Sequence, residues 1–151
     1  MPAETSVVFN HVGHCVADVA RSRRFYEELF GFELARQMAV PDSPADRLLR
    51  IEAPLGLTAV YLRKEALVLE LIHFDRPGNP PARPRVINEP GLTHLSFSVG
   101  DVAATAARVT EFGGEVLPDT NVGAAVFVRD PDGQLIELLP LAYRETLERR
   151  L

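Results

Sequence analysis

His11 and His94 stand at the same place in a repeated pattern. Phe9-Asn10-His11-Val12-Gly13-His14-Cys15-Val16-Ala17-Asp18-Val19-Ala20 returns as Leu92-Thr93-His94-Leu95-Ser96-Phe97-Ser98-Val99-Gly100-Asp101-Val102-Ala103. The offset of 94 − 11 = 83 also carries Asp18 onto Asp101, Val19 onto Val102 and Gly31 onto Gly114. Each copy closes on an apolar stretch with one acid inside it, Leu69-Glu70-Leu71-Ile72 and Ile136-Glu137-Leu138-Leu139. Imidazole nitrogen with carboxylate oxygen is a donor set for a divalent transition metal. A pseudo-twofold fold builds a four-ligand site from such a pair of pairs, which makes His11, Glu70, His94 and Glu137 the candidate metal ligands.

Alternation along a strand decides which way these groups point. His11 shares a side with Gly13 and Cys15, and His94 with Ser96 and Ser98. Val12, His14 and Val16 in one copy, and Leu95, Phe97 and Val99 in the other, take the opposite, mostly apolar side, the one that meets a helix. Both histidines therefore look into a concavity. Glu70 opposes Leu69 and Leu71, and Glu137 opposes Ile136 and Leu138, so the carboxylates face the same way. Two carboxylates so flanked need a cation, since leaving them unpaired costs several kcal/mol.

A single strand histidine is more often a hydrogen-bonded structural residue than a ligand; the repetition reverses that reading for His11 and His94. His14 aligns with Phe97 and reads as a core or supporting histidine. His73, at a strand end, reads as surface or pocket rim. Cys15 aligns with Ser98 as a wall residue, with no neighbour that marks an activated thiol. Arg63 and Arg129 are equivalent by the repeat and read either as partners of strand neighbours or as an anion-binding pair.

The elements that position these groups form two modules. The first, about 7–74, predicts a strand over 7–16, a helix over 19–30 capped by Asp18 and stopped by Gly31, and strands at 32–39, 58–63 and 67–74. An insertion at 42–55 carries one or two helical turns around Pro44 and has no counterpart in the other half. The proline- and glycine-rich stretch 75–91 is the linker. The second module, about 92–140, predicts a strand over 92–99, a helix over 102–112 stopped by Gly113-Gly114, and strands at 115–117, 124–129 and 134–139. The last two are joined by the turn Asp130-Pro131-Asp132-Gly133. Within the C-terminal tail, 141–151, the charged stretch Tyr143 to Leu151 reads as a short surface helix.

Composition narrows the class. A chain of 151 residues, 46% apolar and 25% charged, is one domain with enough material for a core. Net charge is 16 − 21 = −5 with scattered arginines, which argues against nucleic acid as a partner. No apolar run reaches a membrane span, and the polar start Met1-Pro2-Ala3-Glu4-Thr5 lacks a signal peptide's features. With a single cysteine, the default expectation is cytoplasmic.

Taken together, His11-Val12-Gly13 with Asp18, Phe25-Tyr26, Gly31-Phe32, Leu69-Glu70-Leu71, His94 with Asp101, and Asp130-Pro131-Asp132-Gly133 with Ile136-Glu137-Leu138 resemble the vicinal oxygen chelate superfamily. Its members include glyoxalase I, methylmalonyl-CoA epimerase, fosfomycin resistance proteins, extradiol dioxygenases and bleomycin resistance proteins. The resemblance implies a single α+β domain over 1–151, with two tandem βαβββ modules forming a curled mixed sheet around a metal-binding cavity. It implies one divalent ion (Ni, Co, Zn, Mn or Fe) held by His11, Glu70, His94 and Glu137, the set of bacterial-type glyoxalase I. Fosfomycin enzymes and extradiol dioxygenases resemble a two-histidine, one-glutamate site, epimerases usually carry glutamine where Glu70 stands, and bleomycin-binding members lack the ligands. The implied activity is that of a lyase, isomerase or epimerase moving a proton next to a carbonyl of a thioester, hemithioacetal or related small molecule. Glu137 is the first choice of base and Glu70 the second. A homodimer is also implied. The alternatives are a metal-dependent dioxygenase or group-transfer enzyme and a non-catalytic drug-binding protein. The insertion and linker depart from compact bacterial glyoxalases, and no glutathione-binding set is identified.

Overall fold

The computed structural model describes residues 6–149, so the polar start and the last two residues of the tail lie outside the described residues. Among the described residues the first module runs β1 (Val12–Cys15), α1 (Val19–Arg24), β2 (Glu33–Ala39), α2 (Asp42–Leu49), β3 (Leu57–Lys64) and β4 (Leu67–Phe74). The second runs β5 (His94–Val99), α3 (Val102–Arg108), β6 (Glu115–Leu117), β7 (Val126–Arg129) and β8 (Leu135–Pro140), followed by α4 (Ala142–Glu148). Each module makes a four-stranded mixed sheet, ordered β1-β4-β3-β2 in the first and β5-β8-β7-β6 in the second. The plan is α+β and βαβββ twice, as the repeat predicts.

The repeat is also visible in the caps. Asp18 accepts from the Arg21 amide at 2.9 Å and Asp101 from the Ala104 amide at 2.8 Å, each satisfying a helix N–H that would otherwise lack a partner. Both helices end differently from the predicted spans. α1 widens into a π turn over Phe25–Leu29 and α3 tightens into a 3₁₀ turn over Val109–Phe112, which stops at Gly113 in the left-handed region. The widened turn buries Phe25 and Tyr26 completely.

The predicted first strand is shorter than expected. Residues 6–11 belong to no strand, so His11 sits one residue ahead of β1, and β5 likewise begins at His94 rather than at 92. β1 pairs in parallel with β4 and β5 with β8, which leaves both histidine-bearing strands at sheet edges.

The helix-facing sides of both sheets share one core, in which Leu69 and Leu71 of β4 join Ile136 and Leu138 of β8 around Phe25, Tyr26 and Val109. Phe30 stacks on Phe97 across the module boundary with ring centroids 4.5 Å apart. With the helical sides turned toward each other, the curled sides of the two sheets face away from each other. A smaller core of Ala45, Leu55 and Leu57, flanked by Ile72 and Phe74, packs the α2 insertion onto one end of the first curled side. Asp42 ties that insertion closed by accepting from the Leu55 amide at 2.9 Å.

Gly114 is needed for the close fit of the two modules. A Cβ there would lie 2.5 Å from the Arg129 carbonyl oxygen, 2.6 Å from Val109 and 2.8 Å from Phe25. Gly114→Ala is expected to destabilise the fold by about 1–3 kcal/mol through overpacking, read as a shift of the urea midpoint at unchanged slope.

Candidate metal centre

The first half-site lies on the edge of the first sheet. His11 Nε2 is 2.8 Å from Glu70 Oε2, and both side chains keep an opening to solvent. Gly13 is the register partner of Glu70 on β4, and its missing side chain leaves the carboxylate uncovered. His11 Nδ1 donates to the Asn10 side-chain oxygen at 2.5 Å. An acceptor on Nδ1 fixes the ring with Nε2 turned toward Glu70, the disposition from which Nε2 could ligate a metal.

The second half-site repeats this arrangement. His94 Nε2 points to Glu137 Oε1 at 3.9 Å, and its Nδ1 is tied to Thr93 Oγ1 at 2.8 Å. Asn10 and Thr93 are equivalent by the offset of 83 residues, as 93 − 10 shows. Their orienting role was hidden in the sequence because the two residue types differ. Ser96, the register partner of Glu137, donates to the carboxylate at 2.8 Å.

An aromatic ring supports each imidazole from β3 or β7. Tyr61 meets His11 edge-on with centroids 5.6 Å apart and Phe127 meets His94 at 5.4 Å, both at 85°. Tyr61 is opposite Glu70 on the ladder and Phe127 is opposite Glu137. Only the first ring has a hydroxyl. Its hydrogen bond to Glu70, then its partial burial and the carboxylate's charge, push the Tyr61 phenol above its ordinary range.

The chain brings the four predicted ligands together as two pairs and not as one group. Among the described residues the one set of three acidic or imidazole donors within a single ion's reach is His14, Asp130 and Asp132, between the modules. These donors already have partners. Asp130 Oδ2 accepts from Tyr26 at 2.7 Å and pairs with His14 Nε2 at 2.6 Å, while its Oδ1 accepts from the amides of Asp132 and Gln134 at 2.9 and 2.8 Å. Asp132 accepts from the Ala17 amide at 2.9 Å, Ser22 at 3.1 Å and Arg21 at 3.3 Å. This is a clamp between modules, built by the second hairpin turn on the first strand and helix. Sequence reasoning found the turn and placed His14 on the helix side; it missed the clamp because the contacts span more than 100 residues.

Burial alone would raise the Asp130 carboxyl, but hydrogen bonds from His14, Tyr26 and the Gln134 amide outweigh it and hold the group below the usual aspartate range. Burial, reinforced by the Asp130 charge, pushes the Tyr26 phenol well up. Cys15 is an exposed thiol on the curled side, raised by partial burial and then by Asp132, so it is a wall residue and not a poised nucleophile. His73, expected at a rim, instead faces the helical side and bonds the Val16 carbonyl oxygen at 3.0 Å.

A surface groove of about 480 Å³ lies beside Arg24 and Phe112, and one of about 430 Å³ under the linker at Arg83 and Arg85 reaches Thr93 and Leu135 next to His94.

The family model for glyoxalase/bleomycin resistance protein/dioxygenase proteins matches residues 8–138, both modules and the linker between them. The chain belongs to this superfamily. Among superfamily relatives, the chain is 32% identical to the uncharacterized protein YaeR of Escherichia coli over 85% of its own length and 92% of that protein. It is 26% identical to a lactoylglutathione lyase of Pseudomonas putida, over 91% and 87% of the two chains. Its fold superposes on the trypanothione-dependent glyoxalase I of Leishmania major with a TM-score of 0.68 and 26% identity, covering 95% of this chain and 94% of that one. No helix among the described residues is long and apolar enough to cross a membrane.

Proposed function

We propose that the chain is a metal-dependent enzyme of the glyoxalase type that moves a proton next to a carbonyl of a small thioester, hemithioacetal or related substrate. The observation that carries this reading is the repeated half-site: an imidazole Nε2 aimed at a carboxylate, with Nδ1 tied back to the preceding side chain. Structural imidazoles have no need of that arrangement twice. The donor set suits one divalent ion of the nickel, cobalt, zinc, manganese or iron type, with coordination positions left for substrate. Similarity to lactoylglutathione lyase and glyoxalase I supports the same class.

Each curled side supplies two of four ligands, so the complete site joins His11 and Glu70 of one copy to His94 and Glu137 of a second, and the working form is a homodimer. Support comes from the edge position of β1 and β5 and from apolar residues exposed just before them. Val7 is 88% exposed, Val8 85%, Phe9 67% and Leu92 81%, an apolar fringe that a second copy would cover.

A bound divalent ion supplies Lewis-acid polarisation of the substrate's carbonyl oxygen. Glu137 takes the proton from the adjacent carbon and returns it to the neighbouring atom. Its tether, one serine hydroxyl and a more distant imidazole, leaves it freer than Glu70, which His11 meets at 2.8 Å. Glu70 accordingly stays a ligand.

Loading the protein with each metal and following hemithioacetals and 2-substituted acyl-CoA thioesters by NMR in D₂O tests the reaction. Loss of the C–H signal next to the carbonyl is expected for one of the two classes. No exchange with either class under any metal contradicts the reading. Asn10→Ala and Thr93→Ala are each expected to weaken metal binding about tenfold or more, measured by competition with a chelating dye, with the circular dichroism spectrum unchanged.

A further inference from the structure

The two curled sides carry the same framework with opposite chemistry around it. β2 contains a bulge between Leu34 and Arg36: Leu34 pairs with Leu62, on the helical side, and Arg36 pairs with Tyr61, on the curled side. In an unbroken strand Leu34 and Arg36 would share a face. The inserted residue re-aims the arginine toward the candidate centre, a common use of a bulge beside a functional site. Arg63, two residues along β3 from Tyr61, lies on the same side as a diagonal neighbour of Arg36. At the matching place in the second sheet Leu117 pairs with Phe127.

Ion pairing differs in the same sense. In the second sheet Arg129 is opposite Glu115 and pairs with it at 3.5 Å. Arg63 is opposite Glu33 in the first sheet, yet among the described residues neither Arg63 nor Arg36 forms an ion pair. Two exposed guanidiniums without a carboxylate partner thus flank Tyr61 and Glu70, whereas the corresponding cation of the other half is neutralised.

We infer that Arg36 and Arg63 form an anion clamp that selects substrates bearing a carboxylate or phosphate group, held on the first-module wall while an apolar portion lies against Leu117 and Phe127. This inference rests on the proposal that both curled sides enclose one metal centre. Guanidinium forks match the planar or tetrahedral oxygens of such anions and need no proton change to do so. The arrangement fixes the direction in which an asymmetric substrate enters, with its reacting carbonyl between a cationic and an apolar wall.

The test compares benzohydroxamate, a neutral chelator, with 4-carboxy- and 4-phosphonobenzohydroxamate by calorimetry on cobalt-loaded protein. In wild type an anionic probe is expected to bind about tenfold tighter than the neutral parent. In R36Q/R63Q that advantage is lost while the neutral parent binds as before. Whichever of the two anionic probes gains more identifies the group recognised. Where benzohydroxamate binds the metal, an advantage that survives in R36Q/R63Q, or none in wild type, overturns the clamp. A second arm uses metal-free protein with benzoate and phenylphosphonate, followed through backbone amide shifts of β2 and β3. Shifts in wild type that vanish in R36Q/R63Q uphold the clamp even if benzohydroxamate shows no metal-dependent binding, a result that would count against the metal centre alone. Identical shifts in both proteins reject the clamp.

Discussion

His11→Ala and Glu137→Ala are each expected to bring the metal content of the purified protein from about one ion per chain to a small fraction of that. Each variant removes one of the four proposed donors, and such a site, with half of its ligands on each of two sheets, has little to fall back on. Glu137→Ala is expected to lower turnover by a further factor of about 10²–10⁴ beyond metal loss, because it also removes the proposed base. Glu137→Gln separates the two effects: an amide oxygen still ligates but cannot accept the proton. Elemental analysis beside the deuterium-exchange assay reads both. Wild-type metal content in His11→Ala would remove that residue from the site.

Much of this architecture was legible in the sequence because it is written twice. The offset that aligns His11 with His94 aligns the caps Asp18 and Asp101 as well, and local rules for caps, glycine stops and alternation then place the helices and the sides of the sheets. Alternation also placed Glu70 and Glu137 on the side of their histidines, where the structure has them. Three features lay beyond such rules. The bulge at Ala35 shifts the register of β2, and no residue type in that stretch announces it, so Arg36 was not singled out. The clamp at Asp130 depends on how the modules dock, which local periodicity does not encode. The separation of the four candidate ligands into two pairs follows from the same docking, in which the helical sides of the two sheets pack together in one core.

Loss of the clamp is the second large effect. Asp130 is 3% exposed and receives Tyr26, His14 and two backbone amides. Asp130→Ala is expected to destabilise the protein by about 3–5 kcal/mol, since it strands a buried phenol and imidazole and frees two amides that hold the turn. For a chain of this size that corresponds to a Tm roughly 10 °C lower, measurable by calorimetry. The pH dependence has a definite sign. A carboxyl whose folded value lies below its unfolded one contributes stability that is fully present above the unfolded value of about 4 and is lost as pH falls through the folded value. Wild type should therefore lose stability on acidification below about pH 4, and Asp130→Asn should lose less over that range. Equal acid slopes in the two proteins would show that the network does not depend on the Asp130 charge.

The proposed chemistry requires that two copies of this chain make one centre. The measurement is the metal content of a mixed dimer, purified through two different tags, that pairs H11A/E70A with H94A/E137A. Neither variant alone retains a complete set. In the mixed dimer the intact His11 and Glu70 of one chain meet the intact His94 and Glu137 of the other, so about one ion per dimer is expected, with deuterium exchange restored at that site. A mixed dimer as empty as its parents, beside a wild type that holds its metal, would contradict the shared centre.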